Sequence, residues 1–523
     1  MADYIVQTST GKVKGYARNG LIEYLGIPYA EPPVGPLRFR RAVPKTPWEG
    51  VLEAKEYGPV PVQRDNEVDQ GSEDCLTVNI KRPAEGGEKL PVFVWIYGGG
   101  YNTGSASDTL YHGDAFARDG IVFVSFQYRL NVLGFYDFTT YPGCGDFDSN
   151  CGLSDQILAL NWIHDNIAAF GGDPERITIG GESAGGASVV NMLVAPGAKG
   201  CFQQAIIESA LPNCVMTHQM QRHNIDLFLE GMGWTQEEMA EKLRTAEPYS
   251  LLKGNAYMSQ RYQESSPGMF LPGPVQDDLL PVRPIDAIRG GAAAGIRLII
   301  GSNMHEGTMF VHPEGTVFPN SWTMIAQMLE KNQHADAIPA VVGFYHPSAR
   351  DSFVLFHTGH DHPAGGGAVP KAAGDYRQIG GDPFIRFATD YAFEMPAIKV
   401  ALGQKQYTDD VWMYRFELVT KSCAETGWKA SHACELPSVF GVRHHPFSDF
   451  VYDGEPDETF AALYQEIHGD WVRFIQTGEP NPDWDRFTGA NSPVRIYNRE
   501  TRTEQLDRRH LMQIWGDMRF YEV

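Results

Sequence analysis

The sequence predicts an α/β fold built on a large, mostly parallel central sheet with helices on both faces and helical insertions above it. Three observations carry that reading. Short, almost unbroken apolar runs recur along the chain, among them Pro91–Tyr97 and Ile121–Tyr128, as strands buried on both faces require. Segments with helical spacing alternate with such runs, the rhythm of a doubly wound sheet. Gln204–Ile207 and Ile296–Ile300 each end in small polar residues, where open α/β sheets build their sites.

Taken in order, the chain begins with short strands at Tyr4–Gln7, Lys12–Tyr16 and Leu21–Leu25, an antiparallel start that runs into a Pro-rich loop, Ile27–Pro33. Leu76–Ile80 is the next strand, closed by a charged turn at Glu85–Lys89. Pro91–Tyr97 and Ile121–Tyr128 follow. Leu153–Phe170 places Ile157, Leu160, Ile163 and Ile167 at helical spacing and stops at Gly171-Gly172. Arg176–Ile179 reads as a buried strand, followed at once by a helix of small residues. Gln204–Ile207, Ile296–Ile300 and Val411–Phe416 complete the parallel set. Residues 215–290 and 310–405 break the rhythm and read as cap-like insertions over the sheet, within a single domain spanning 1–523. Glu458–Thr477 is a long amphipathic helix, and the tail adds one or two edge strands.

Composition narrows the function. The chain has 523 residues, 42% of them hydrophobic and 21% charged, ordinary for a globular protein with a large core. A net charge of −22 argues against nucleic acid and anionic membranes as partners. The seven cysteines are too sparse for a disulfide scaffold, although Cys144/Cys151 and Cys423/Cys434 stand close enough in sequence to bridge. Met1–Gly15 lacks a basic segment followed by an apolar run, and no stretch is long and apolar enough to span a membrane. The expectation is a cytoplasmic monomer. A leader removed ahead of this sequence would make the protein secreted.

The chemistry centres on Gly181-Glu182-Ser183-Ala184-Gly185, a G-x-S-x-G between a strand and a helix. A serine at so sharp a turn needs neighbours without bulk two residues either side, so that the backbones can pass. The turn lifts the Ser183 hydroxyl out of the sheet and aims a helix N-terminus at any anion formed beside it. Gly98-Gly99-Gly100, directly after the Pro91–Tyr97 strand, offers the N–H groups of Gly99 and Gly100 as an oxyanion hole, with Ala184 as the third donor. The serine needs a base, and the base needs an acid to orient it. His432 lies in a late loop after Val411–Phe416, a placement that suits the base. His444 and His445 follow no strand directly. His357, His360 and His362 fall in a Gly/Pro-rich loop without a recognised metal spacing. For the acid, Glu306 follows the Ile296–Ile300 strand in the chain order serine, acid, histidine. Asp277 and Asp278 follow no clear strand, and Asp382 lies in the irregular insertion.

Several stretches together are similar to type B carboxylesterases, relatives of carboxylesterases, cholinesterases and lipases in the α/β-hydrolase fold. The run Phe170–Gly185 resembles the family's serine signature, and Glu73-Asp74-Cys75-Leu76-Thr77-Val78-Asn79-Ile80 its second signature. Gly26–Ala30, Gly152–Gln156 and Trp95–Gly100 match as well, so the resemblance covers essentially the whole chain. It implies Ser183 as nucleophile, Glu306 as acid and His432 as base, with Glu182, Ser209 and Glu435 as supporting polar residues. It implies ester hydrolysis of a small-molecule substrate, with no cofactor and no metal. Ala433 stands where the family usually has glycine. No cysteine precedes Cys75, so Cys75 is expected to be a free thiol. The Gln63–Gly71 loop is short and lacks the tryptophan with which cholinesterases bind cations. The pattern is closest to bacterial para-nitrobenzyl-esterase-like carboxylesterases. A lipase for longer acyl chains is the alternative within enzymes, and a non-catalytic binding module of the same fold is the alternative outside them. Tyr101, Met269 and Phe270 are candidate pocket walls.

Overall fold

A computed structural model describes residues 4–520 except 66, 213, 266–267, 269–271, 312–316, 346–382 and 517. Met269, Phe270, Asp382 and the histidines 357, 360 and 362 lie outside the described residues.

Eleven strands form the central sheet. In chain order they are Tyr16–Arg18 (β1), Leu21–Pro28 (β2), Thr77–Pro83 (β3), Leu90–Ile96 (β4), Val122–Phe126 (β5) and Gly172–Glu182 (β6). Gln204–Glu208 (β7), Arg297–Asn303 (β8), Val411–Phe416 (β9), Asn491–Tyr497 (β10) and Arg502–Asp507 (β11) complete it. Across the sheet they lie in the order β11-β10-β9-β8-β7-β6-β4-β5-β3-β2-β1. The strands from β4 to β10 pair in parallel with their neighbours, whereas both margins are antiparallel. This is the α/β-hydrolase fold. Burial explains the composition of the middle: every residue of β5, β7 and β9 is buried, so apolar β-branched and aromatic residues dominate them, with Ser125, Gln204, Glu208 and Arg415 as buried polar exceptions.

The strand before the elbow is longer than its apolar stretch, Arg176–Ile179. It begins at Gly172, because an irregularity in the register between Gly172 and Ile177 absorbs the polar residues between them. Helix Ala184–Val194 packs on β6 and β7, and helix Asp457–Thr477 reaches β4, β6 and β10. The 215–290 stretch contains helices His218–Met232, Gln236–Thr245, Leu251–Ser265 and Pro284–Arg289. Within 310–405, Trp322–Lys331, Ile338–Tyr345 and Pro383–Thr389 are helical, and Met395–Lys405 packs against β8 and β9. All seven cysteines are buried and free, so neither Cys144/Cys151 nor Cys423/Cys434 is bridged and Cys75 is a thiol. Among the described residues no helix is long and apolar enough to cross a membrane.

One buried ion pair anchors the loop after β5. Arg129 donates from Nη2 to Asp155 Oδ1 (2.7 Å) and from Nε to Oδ2 (2.9 Å), and its backbone N–H reaches the same Oδ2 at 3.0 Å. Both side chains are buried. Removing one partner strands the other charge in the core. Asp155→Ala is therefore expected to destabilise the fold by about 3–5 kcal/mol, read as the free energy of urea unfolding. An unchanged unfolding midpoint contradicts this.

Candidate active site

Ser183 is the residue on which β6 turns into helix Ala184–Val194. Its backbone has φ 58° and ψ −123°, a conformation that L-residues avoid. The surroundings enforce it. A Cβ on Gly185 would stand 2.0 Å from the carbonyl oxygen of Ile96, and one on Gly181 would stand 2.5 Å from the carbonyl carbon of Gly185. Strand β4, the turn and the helix start are therefore in backbone contact, which only glycine permits. The Ser183 N–H donates to the Glu208 carbonyl at 3.0 Å, and its own carbonyl accepts from Ala187 N–H at 2.8 Å. The serine is 7% exposed.

The glycine run after β4 lies against this turn. A Cβ on Gly98 would fall 3.0 Å from Ser183 Cβ and 2.6 Å from the Glu182 carbonyl oxygen. Gly99 and Gly100 have φ of 105° and 61°, and the Gly99 carbonyl closes the loop by accepting from Asn102 and Thr103 N–H, both at 3.0 Å. Among the described residues no backbone carbonyl outside the regular ladders accepts from the N–H of Gly99, Gly100 or Ala184. A cavity of about 400 Å³ opens beside Gly98 and Gly99, and Gln63, Asp65, Asp108 and Tyr111 are among its walls.

His432 and Glu306 meet although 126 residues separate them: His432 Nδ1 and Glu306 Oε2 are 2.5 Å apart. The carboxylate is fixed by two further donors, Ser209 Oγ at 2.5 Å and Asn303 N–H at 2.6 Å, both on Oε1. The other imidazole nitrogen, Nε2, lies 2.9 Å from Oε1 of Glu182, the residue before the serine. The rings of Phe310 and Phe393 each stand 5.1 Å from the imidazole, centroid to centroid, and enclose it. Asn303 also reaches Ser431 O at 2.7 Å and hydrogen-bonds Glu435 Oε2, so it ties the loops of the acid and the base together. Ala433 has φ 67°. That left-handed conformation accounts for glycine at this position in the resembled pattern, and alanine there costs about 1 kcal/mol.

The structure thus brings Ser183, Glu306, His432, Gly99, Gly100, Ala184, Glu182, Ser209 and Glu435 into one region. The rival residues are occupied elsewhere. Asp277 and Asp278 pair with Arg41, His444 is exposed, and His445 lies 3.3 Å from Asp108. Tyr101 is buried, with its hydroxyl on Ser188 and its ring against Phe135, which makes it a core residue. Sequence reasoning passed over Asn303, Glu208, Phe310 and Phe393. The strand-end positions of Asn303, three residues before Glu306, and Glu208, just before Ser209, were the available signals. The two phenylalanines come from the irregular insertion and gave none.

Charge is concentrated here. Burial works against the charged imidazole of His432, but the carboxylates of Glu182 and Glu306 outweigh it and hold His432 well above 6.5. Burial, reinforced by Glu182, Glu208 and Glu306, pushes Glu435 far up. A reaction that uses neutral His432 as base loses rate as pH falls through this raised value. Glu182→Gln removes one negative neighbour, disfavours the imidazolium and moves that acid limb to lower pH. The pH profile of kcat/KM checks it, and an unmoved midpoint contradicts it.

Comparison with known proteins adds the following. The chain matches the Carboxylesterase family over residues 2–515. It is 34% identical over 510 residues to the para-nitrobenzyl esterase of Bacillus subtilis, covering 96% of this chain and 94% of that one. It is 30% identical over 512 residues to phenmedipham hydrolase of Pseudarthrobacter oxydans, covering 95% of each. A solved PNB esterase structure superposes with a TM-score of 0.81 at 32% identity, covering 98% of this chain and 100% of the other.

Proposed function

Because the chain belongs to the carboxylesterase family and is a serine-type carboxylic ester hydrolase, we propose that Ser183, His432 and Glu306 are the residues that carry its reaction. His432 Nε2 takes the Ser183 hydroxyl proton as Ser183 Oγ attacks the ester carbonyl carbon. Glu306 holds the Nδ1–H and stabilises the imidazolium. The oxyanion is received by the N–H groups of Gly99, Gly100 and Ala184, each worth about 3 kcal/mol at the transition state. The imidazolium returns its proton to the departing alcohol. Water, activated by the same histidine, then hydrolyses the acyl-enzyme and frees the acid.

The observation that carries this assignment is the 2.5 Å contact between His432 Nδ1 and Glu306, with Nε2 turned toward the residue preceding the strained serine. Glu182, Ser209 and Glu435 hold the pair in place. The insertions at 215–290 and 310–405 cover the site within a single domain, a reading supported by Phe310 and Phe393 closing on His432. The substrate is a small ester, and the net charge of −22 favours soluble esters over long-chain lipids. Seven free, buried cysteines support a reducing, cytoplasmic setting.

Ser183→Ala is expected to abolish ester hydrolysis without changing the circular dichroism spectrum. Glu306→Gln is expected to lower kcat by about 10²–10⁴-fold, the loss typical of a mis-set histidine. A panel of esters graded in acyl and alcohol size reads both variants. Wild-type rates in Ser183→Ala would overturn the nucleophile assignment. A silent Glu306→Gln beside an impaired Asp382→Asn would overturn the acid.

A further inference from the structure

Four glutamates, 182, 208, 306 and 435, surround the base of the site, and none is more than 3% exposed. Among the described residues none of them pairs with a lysine or arginine, and His432 is the cation they face. Four carboxylates in so dry a setting cannot all be ionised against one imidazolium, because each unpaired buried charge costs several kcal/mol. Some of them hold protons.

The hydrogen-bond inventory indicates which. Glu306 accepts from three donors, Ser209, Asn303 and His432, as an ionised carboxylate does. Glu182 faces His432 Nε2. Glu208 has one donor, the neutral indole N–H of Trp471, at 2.8 Å on Oε1, and its Oε2 has none. Oε1 of Glu435 is also buried without a hydrogen-bond donor. Glu208 and Glu182 are register partners on the adjacent parallel strands β7 and β6. Their side chains therefore share a face of the sheet on strands about 4.8 Å apart. A carboxylic acid at Glu208 supplies the missing O–H: its Oε2 gains a role as donor and a neighbouring carboxylate oxygen gains a partner.

We propose that Glu208 is a positioning residue of the esterase site that works as an uncharged carboxylic acid, its Oε2–H donating to a carboxylate behind Ser183. The proposal rests on the assignment of Ser183, His432 and Glu306 above. Its backbone carbonyl holds the Ser183 N–H, so the same residue braces the nucleophile from behind. The groups facing it are Trp471, Glu182, Glu435, Tyr111 and Tyr414. Burial, opposed by the Trp471 hydrogen bond and reinforced by Glu182, places Glu208 at about 8. An uncharged Glu208 adds no negative charge beside Glu182, the carboxylate that faces His432 Nε2.

The test compares Glu208→Leu, which removes the donor, with Glu208→Gln, which restores a neutral one. The leucine variant is expected to lose about tenfold or more in kcat with little change in KM, and glutamine to recover most of that loss. The acid-limb midpoint of kcat/KM stays put in Glu208→Gln but moves in Glu182→Gln. Infrared difference spectroscopy of the intact enzyme at neutral pH is expected to show a protonated-carboxyl C=O band that Glu208→Gln removes. A midpoint in Glu208→Gln that moves to lower pH as in Glu182→Gln, or a spectrum identical to wild type, overturns the proposal. The spectrum needs no turnover and stands if the leucine variant fails to fold. An active Ser183→Ala enzyme would instead overturn the assignment beneath it.

Discussion

A serine with positive φ persists only where the surroundings exclude every alternative. At Ser183 that exclusion comes from backbone contact: Gly185 rests against the carbonyl of Ile96, Gly181 against Gly185, and Gly98 against Ser183 itself. The central sheet makes these contacts possible. Strand β4 lies between β5 and β6, so the glycine run at the end of β4 and the turn at the end of β6 emerge side by side. The proposed nucleophile and the candidate oxyanion donors are neighbours because their strands are neighbours. The next strands extend the same logic. Glu208 ends β7, Glu306 follows β8, and His432 follows β9, so each adjacent strand end contributes a group in turn. This is the general rule for open α/β sheets, in which sites form at the carboxyl ends of strands.

The electrostatics of the site follow from its dryness. A histidine that must be neutral at rest and charged during turnover needs negative partners, but too many would keep it permanently protonated. Glu306 on Nδ1 and Glu182 near Nε2 provide the pull, and burial of the imidazole opposes it. The surrounding aromatic rings, Phe310 and Phe393, exclude water and make both effects strong. Asn303 keeps the geometry fixed by joining Glu306, Ser431 and Glu435 through its backbone and side-chain amides.

Much of this was legible in the sequence, and the reasons differ by element. The parallel strands were readable because burial on both faces favours nearly continuous apolar runs, as in Val411–Phe416, which only Arg415 interrupts and whose bounds agree with the structure. The elbow strand was read too short, since a register irregularity that tolerates Asp173, Pro174 and Glu175 leaves no apolar trace. Chain order and strand ends pointed to Ser183, Glu306 and His432 as the proposed set, with the family resemblance guiding the choice among sixteen histidines, and the structure brings His432 onto Glu306. The aromatic enclosure of His432 was not, because Phe310 and Phe393 reach it from a segment whose path depends on tertiary packing. Glu208 was hidden for another reason: a charged residue closing an apolar strand looks like a solvated strand end until register places it beside Glu182.

The central claim is that Ser183 is the one nucleophile, activated by His432. Phenylmethylsulfonyl fluoride followed by intact mass and peptide mapping tests it directly. The account predicts a single sulfonyl adduct, on the peptide bearing Ser183, formed in step with the loss of esterase activity and much more slowly in His432→Ala. An adduct on another residue with activity lost, or full inhibition without modification of Ser183, would contradict it.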